Sequence, residues 1–384
     1  MVITFRNTAV FTLILSGLAI AQPPASSPRR LPAALDFGNI PRPPMPPDPM
    51  ELIAGDAQPV QDAQQRIAAI GLLVKAHKLS NIRAQPYDLK TSFIAYGGLP
   101  SDGNWMIEDA ARGPKYRWTA SGPNFSAVNL YPEGSTNGLY SNQPGGILPL
   151  RLLQVRSAIF FIYPGMGPQA SIRTATGSLN GEPQSCVLVV TGAGSRTFSG
   201  SRNWEVSEYC VDSKTGLLSQ YSPAPGVFVR YDYSSGIRFH NTFIPTAFSI
   251  FENGKVVAEA RTVGVTDPPA ATDPMFDAAG LTPVGSGRAM NPGTNFPLVV
   301  TAPGQSFAGA GGRPSIQVVC LHGDVAGDGR LSEAEILAST DSSLNQAAME
   351  RAEAIAKTRL RLQPGATAQS SEMFLTLEFL TAGQ

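Results

Sequence analysis

From Tyr87 to Val265, apolar and polar residues alternate in short runs broken by turn residues. A period of two places one side of each run on a core and the other on solvent, which calls for antiparallel strands rather than a helical bundle. Lys115-Tyr116-Arg117-Trp118-Thr119, Asn203-Trp204-Glu205-Val206 and Val227-Phe228-Val229-Arg230-Tyr231 are such runs. Phe248 to Val257 reads as a hairpin, since Asn253-Gly254 supplies the positive φ angles of a type I′ turn. Asp212 to Gly216 marks another turn, and Ile147 to Ile162 interrupts the strands as a helical or buried segment. The 38 glycines and 33 prolines, against only 15% charged residues, suit such a chain. The expected fold class is α+β: a curved antiparallel β-sheet over residues 56–265 with one or two helices laid across it.

The flanks divide the rest of the chain. Arg6 followed by the uncharged run Ala9 to Ala21, ending in Ala19-Ile20-Ala21, reads as a cleavable signal peptide over residues 1–21. This apolar run is shorter than the ~20 residues a membrane-spanning helix needs, so no stable span is expected once it is removed. Residues 22–55, with Pro41-Arg42-Pro43-Pro44-Met45-Pro46-Pro47, read as an extended linker. A helix is expected from Pro59 to Leu79, with Ala63, Ile67, Ile70 and Val74 as its buried stripe and His77 on the same side. Residues 266–311, opened by Asp267-Pro268-Pro269, read as a second linker.

An export address makes a disulfide between Cys186 and Cys210 reasonable, since they flank neighbouring strands in an oxidising compartment. Cys320, in Ile316-Gln317-Val318-Val319-Cys320-Leu321, is expected as a small buried hydrophobe. Net charge is zero and the basic residues are scattered, which argues against a nucleic-acid partner. Catalytic chemistry is not evident. His77, His240 and His322 share no metal-ligand spacing, and neither a nucleophile elbow nor a phosphate loop occurs. Gly192-Ala193-Gly194-Ser195 reads as a loop, and Glu205 and Glu208 as solvated strand residues. No catalytic residue, metal ligand or cofactor is expected.

The closing segment, 312–384, shows strand, strand, helix, strand. Ile316 to Leu321 and Arg330 to Leu337 are the first strands. A helix from Ser343 to Leu360 follows, with a Ser343/Gln346 capping box and the stripe Leu344, Ala348, Ala352 and Ile355. Met373, Leu375, Leu377 and Phe379 form the apolar face of a last strand, with Thr376 and Glu378 facing away. Asp328-Gly329-Arg330-Leu331, Ala334-Glu335-Ile336-Leu337-Ala338-Ser339-Thr340, Leu344-Asn345-Gln346-Ala347-Ala348 and Thr358 to Gly365 together resemble the TonB C-terminal domain. Thr358-Arg359-Leu360 stands where that family has an aromatic-rich motif, and its upstream Tyr-Pro segment is missing. The resemblance implies binding of an envelope protein or receptor peptide by strand addition, at an edge carrying Phe374, Thr376, Glu378 and Leu380. Asp324, Asp328, Gly329, Leu331 and Glu335 also fall at calcium-loop positions, but Ala326 supplies no ligand and an Asp-Gly turn explains the same residues.

Lys115-Tyr116-Arg117-Trp118, Asn137-Gly138-Leu139-Tyr140 and Cys210-Val211-Asp212-Ser213-Lys214-Thr215-Gly216-Leu217-Leu218 give the middle region a fainter resemblance to LolA-like lipoprotein carriers. That resemblance implies a sheet bent around a hollow for acyl chains. The sequence thus leads to a periplasmic, non-enzymatic protein that binds envelope proteins, with a lipid or lipoprotein carrier as the alternative.

Overall fold

The computed structural model describes residues 57–132, 139–143, 147–160, 170–190, 207–224, 226–268, 274–284, 296–305, 315–326, 330–361 and 371–382. The expected signal peptide, the proline-rich segment 22–55, Gly192 to Ser195 and the run Asn203 to Val206 lie outside these residues.

Helix α1, Ala63–Ser80, starts where the Asp62 carboxylate accepts the Gln65 amide at 2.7 Å. Its buried stripe is Ala69, Leu73 and Ala76, whereas Ile67 is 70% exposed. The helix is therefore turned from the expected Ala63/Ile67/Val74 face. Small Ala69 and Ala76 let it lie close on Val187, Tyr209 and Val211.

Among the described residues fourteen strands form the large sheet, and all its pairings are antiparallel. From one edge they run Gln58–Pro59, Ser171–Leu179, Glu182–Val190, Ser207–Asp212, Leu218–Ser222, Val227–Asp232, Ala247–Glu252 and Lys255–Thr266. Tyr87–Ala95, Gly103–Arg112, Lys115–Gly122, Phe125–Tyr131, Leu139–Ser141 and Thr282–Val284 complete it. After α1 the chain enters mid-sheet at Tyr87–Ala95 and builds outward by hairpins. Helix α2, Leu150–Ile159, separates this half from the strands that begin again near the opposite edge. The closing hairpin turns at Asn253-Gly254, with φ of 50° and 73° as the sequence requires.

Cross-strand register sorts side chains onto two faces. Tyr231, Phe248, Ala260, Phe93 and Trp105 stand opposite one another in a row. This row is on the helix side, where the Tyr231 hydroxyl donates to the Ala158 carbonyl of α2 at 3.0 Å. Cys186 and Cys210 are direct partners one position off, hence on the other face, and they form the expected disulfide. Closing that loop contributes about 3 kcal/mol in the chain-entropy account. A C186S/C210S variant is expected to lose about that much unfolding free energy in urea titrations, against reductant-free wild type.

The second sheet has four strands in the order Phe296–Thr301, Ser371–Thr381, Ser315–Val325, Leu331–Ser339. The strand-strand-helix-strand succession is present, with helix α3 at Asn345–Arg361. Asp341, rather than Ser343, caps the turn before α3 by accepting the Ser343 amide. Leu344, Ala348, Ala352 and Ala356 bury its inner stripe against Val319, Leu321, Leu375 and Leu377. Two expectations need correction here. The segment 266–311 is not only a linker, since Thr282–Val284 joins the large sheet and Phe296–Thr301 the small one. The last strand is not an edge: it pairs in parallel with Phe296–Thr301 and antiparallel with Ser315–Val325. From Leu375 to Leu380 its backbone is thus engaged on both sides, and Phe374, Thr376, Glu378 and Leu380 are all buried.

Candidate functional site

Two places on the molecule gather chemistry. The first is a trough of about 1080 Å³ on the helix-free face of the large sheet. Register explains how it is dug. One row across the strands reads Arg230, Ser249, Glu259, Ile94, Asn104, and the next reads Asp232, Ala247, Arg261, Ser92, Met106, Ser121. Ser249, Ala247, Ser92 and Ser121 are short, so they leave a floor between larger side chains. Ile94 and Met106 stand half-exposed over it, at 40% and 42%. Gly122 lets the Trp105 ring lie flat beneath the far end, where a Cβ would come within 2.4 Å of the indole. The turn Leu179-Asn180 also lines the trough although its strand is four places from Val227–Asp232 in the sheet order. The sheet therefore bends toward this face. On the helix side, aromatic side chains leave cavities of only about 200 and 80 Å³ around α2, and a cleft of about 560 Å³ lies between α1 and the strands Ser171–Leu179 and Glu182–Val190. Ligand sites for small molecules are usually about 300–1000 Å³. The trough on the helix-free face is of that order.

The second place is a buried ionic seam where the small sheet meets α2 and the large sheet. Arg151, the second residue of α2, is fully buried and reaches three elements. Its Nη1 donates to Glu252 at 2.9 Å and to Gln154 at 2.8 Å, and its Nη2 donates to both Glu335 oxygens at 2.9 and 3.0 Å. Its Nε faces the Tyr96 carbonyl. Gly97 must be glycine for this: φ is +120°, and a Cβ would lie 2.9 Å from the guanidinium. Glu333 accepts the Leu150 amide, so a residue of the small sheet caps α2, whose own Pro149 has no side-chain oxygen to offer.

His322 sits at the centre. Its ring stacks on Phe374 with centroids 4.5 Å apart, and its nitrogens meet Glu252 and Glu372 at 2.9 Å each. Burial opposes charge on the ring, but the two carboxylate hydrogen bonds outweigh it and push its pKa up to about 9. Burial likewise opposes charge on Glu252, yet His322 and Arg151 hold its carboxyl well below the ordinary range. Glu335 is pushed up to about 7 by burial and by the neighbouring Glu252. Glu252, His322 and Glu335 are close enough together to hold a metal ion. The seam already contains two cations, however, and Arg151 occupies the carboxylate oxygens such an ion would need. The calcium-loop reading also changes: Asp324 and Glu335 lie in paired strands, facing Ser332 and His322. Asp328 and Gly329 lie outside the described residues.

The scattered spacing of His322 gives no hint of this centre, and Glu208 is not the solvated strand residue its sequence suggests. Glu208 is instead fully buried and accepts the Gln220 amide at 3.2 Å. Cys320 is buried and outside any disulfide, as expected. Among the described residues no helix is long and apolar enough to cross a membrane.

No family model and no curated protein matches the chain. Among solved structures, a LolA superfamily protein, NE2245 from Nitrosomonas europaea, aligns with a TM-score of 0.36 and 12% identity over 54% of this chain and 97% of that one. MucB, solved in complex with MucA(peri), aligns with a TM-score of 0.25 and 13% identity over 68% of this chain and 75% of that one.

Proposed function

We propose that this chain is an exported, non-catalytic binding protein that carries a lipid in the helix-free trough. One observation carries the reading: a hollow of about 1080 Å³ whose short-residue floor is overhung by half-exposed Ile94 and Met106. Exposed apolar side chains beside a hollow are what a soluble protein shows where something apolar is meant to lie. The leader-like residues 1–21 and the Cys186–Cys210 disulfide support a periplasmic location. The absence of catalysis is supported by the enclosure of His322, whose two ring nitrogens are both held by carboxylates. Peptide docking at Phe374 to Leu380 loses support because that strand is paired on both sides from Leu375 to Leu380.

Native mass spectrometry of the protein taken from the cell envelope is expected to show a bound amphiphile. An I94D/M106D variant, altered at exposed positions that do not support the core, is expected to lose it. Withdrawing two partly buried apolar side chains weakens binding by about 2 kcal/mol, roughly thirty-fold in affinity. Protein that arrives empty and takes up no cis-parinaric acid in vitro would overturn the reading.

A further inference from the structure

The walls of the trough are not electrically uniform. Four charged residues line it: Arg230, Asp232, Glu259 and Arg261. The two carboxylates are already engaged, Asp232 by the Ser234 amide at 2.8 Å and Glu259 by the Tyr96 hydroxyl at 3.0 Å. Arg261 is exposed, and its cross-strand neighbours Ala247 and Ser92 are uncharged.

Arg230 differs from all of these. It is only partly exposed, and its strand neighbours are Gln220 on one side and Ser249 on the other. Its Nε donates to the Gln220 side-chain oxygen at 3.0 Å, and the guanidinium lies 5.6 Å from the centre of the Phe251 ring. These two contacts fix the plane of the group. Among the described residues no carboxylate lies within salt-bridge distance of it, and neither Nη group has a hydrogen-bond partner. Burial lowers its pKa, and no neighbouring carboxylate offsets that effect. A planar, oriented guanidinium with unused donors in the wall of the trough matches a carboxylate or phosphate.

We propose that the trough selects amphiphiles with an anionic head, which Arg230 receives while the chain lies over Ile94 and Met106. This rests on the trough being the lipid site. The strands from Val227–Asp232 to Lys115–Gly122 span about 24 Å at the usual inter-strand spacing, so a long chain can lie across them from that end. The same head chemistry is offered by a free fatty acid and by a phospholipid, and the test separates them.

Calorimetric titration of delipidated full-length protein with sodium oleate, 1-oleoyl-lysophosphatidate and neutral monoolein supplies three ligands with one tail. Wild type is expected to bind at least one anionic ligand ten-fold or more tightly than monoolein, and the ratio of oleate to lysophosphatidate identifies the head it takes. R230Q is expected to bring all three to within two-fold while leaving monoolein affinity unchanged, which also shows that the variant is folded. R261Q is expected to keep the preference. Equal binding of all three ligands by wild type, or a preference that survives in R230Q, overturns the head assignment and leaves the trough reading standing. No binding of any ligand by wild type overturns both.

Discussion

Replacing Arg151 by methionine is expected to lower the unfolding free energy by about 3–5 kcal/mol, the largest single-residue effect foreseen for this protein. The reason is not the strength of any one ion pair. Glu335, which is mostly buried, would lose both of its guanidinium hydrogen bonds, and Glu252 would keep only His322 and Gln154 as partners. Desolvating an unpaired carboxylate costs more than the lost attraction alone. The loss should also be local. Arg151 and Glu333 tie α2 to the small sheet, so wild type is expected to unfold in urea as one transition, with the two sheets in one compact unit. In R151M the small sheet is expected to melt first, as an early step visible by intrinsic fluorescence and hydrogen exchange. A loss below 1 kcal/mol with a single unchanged transition would show that the junction holds without its arginine.

The second large effect is on pH dependence. His322 has a folded pKa near 9 against an ordinary 6.5, so its stabilising contribution is complete below about pH 6.5 and disappears as pH rises through 9. Glu335, raised to about 7 from 4.5, acts in the same direction: its protonated form suits the fold, and stability is lost as pH rises through 7. Glu252, held below its ordinary 4.5, acts oppositely and withdraws its contribution as the solution becomes strongly acidic. Stability from these groups is therefore expected to be highest near pH 4.5 and to fall on the alkaline side, with an amount of order 3 kcal/mol coming from His322. In H322Q the cation is missing at every pH. Its urea midpoint should lie well below wild type at pH 6, with the two curves closing together by pH 10. A gap of equal size at both pH values would rule out the imidazolium as its source.

Much of the large sheet was legible because alternation is a local signal. The Asn253-Gly254 hairpin, the runs at Lys115 and Val227, and the facing cysteines each depend on residues a few positions apart or on adjacent strands. The stripe of α1 is not legible from hydrophobicity, which favours Ile67 over Ala69, whereas close approach to the sheet favours the smaller side chain. Phe296-Pro297-Leu298-Val299-Val300-Thr301 was passed over as linker because proline and glycine surround it. Missing that strand is what made the last strand look like an edge. The ionic seam had no spacing to read, since Arg151, Glu252, His322, Glu335 and Glu372 come from five separate elements. One signal was nonetheless available. Glu252 follows Phe248 and Ile250 on the inward parity of its strand, and His322 follows Val318 and Cys320 on the same side of theirs. A charge on a core parity announces a buried partner. The trough was equally hidden, because its floor depends on which short residues stand side by side across strands.

The place of the strand Ser371–Thr381 has a consequence for when, rather than how, the molecule is assembled. Among the described strands it comes last in sequence, yet it lies between two earlier ones and brings Glu372 to His322. The large sheet has a similar delay at its middle, where Lys255–Thr266 must find Tyr87–Ala95 across most of the intervening chain. Pairings so distant in sequence form slowly and keep strand edges unsatisfied in the meantime. Made in order from the amino end, the large sheet cannot join its halves before Lys255–Thr266 is present, and the small sheet cannot close before Ser371–Thr381 is. Until then the apolar strands of each need shielding from other chains.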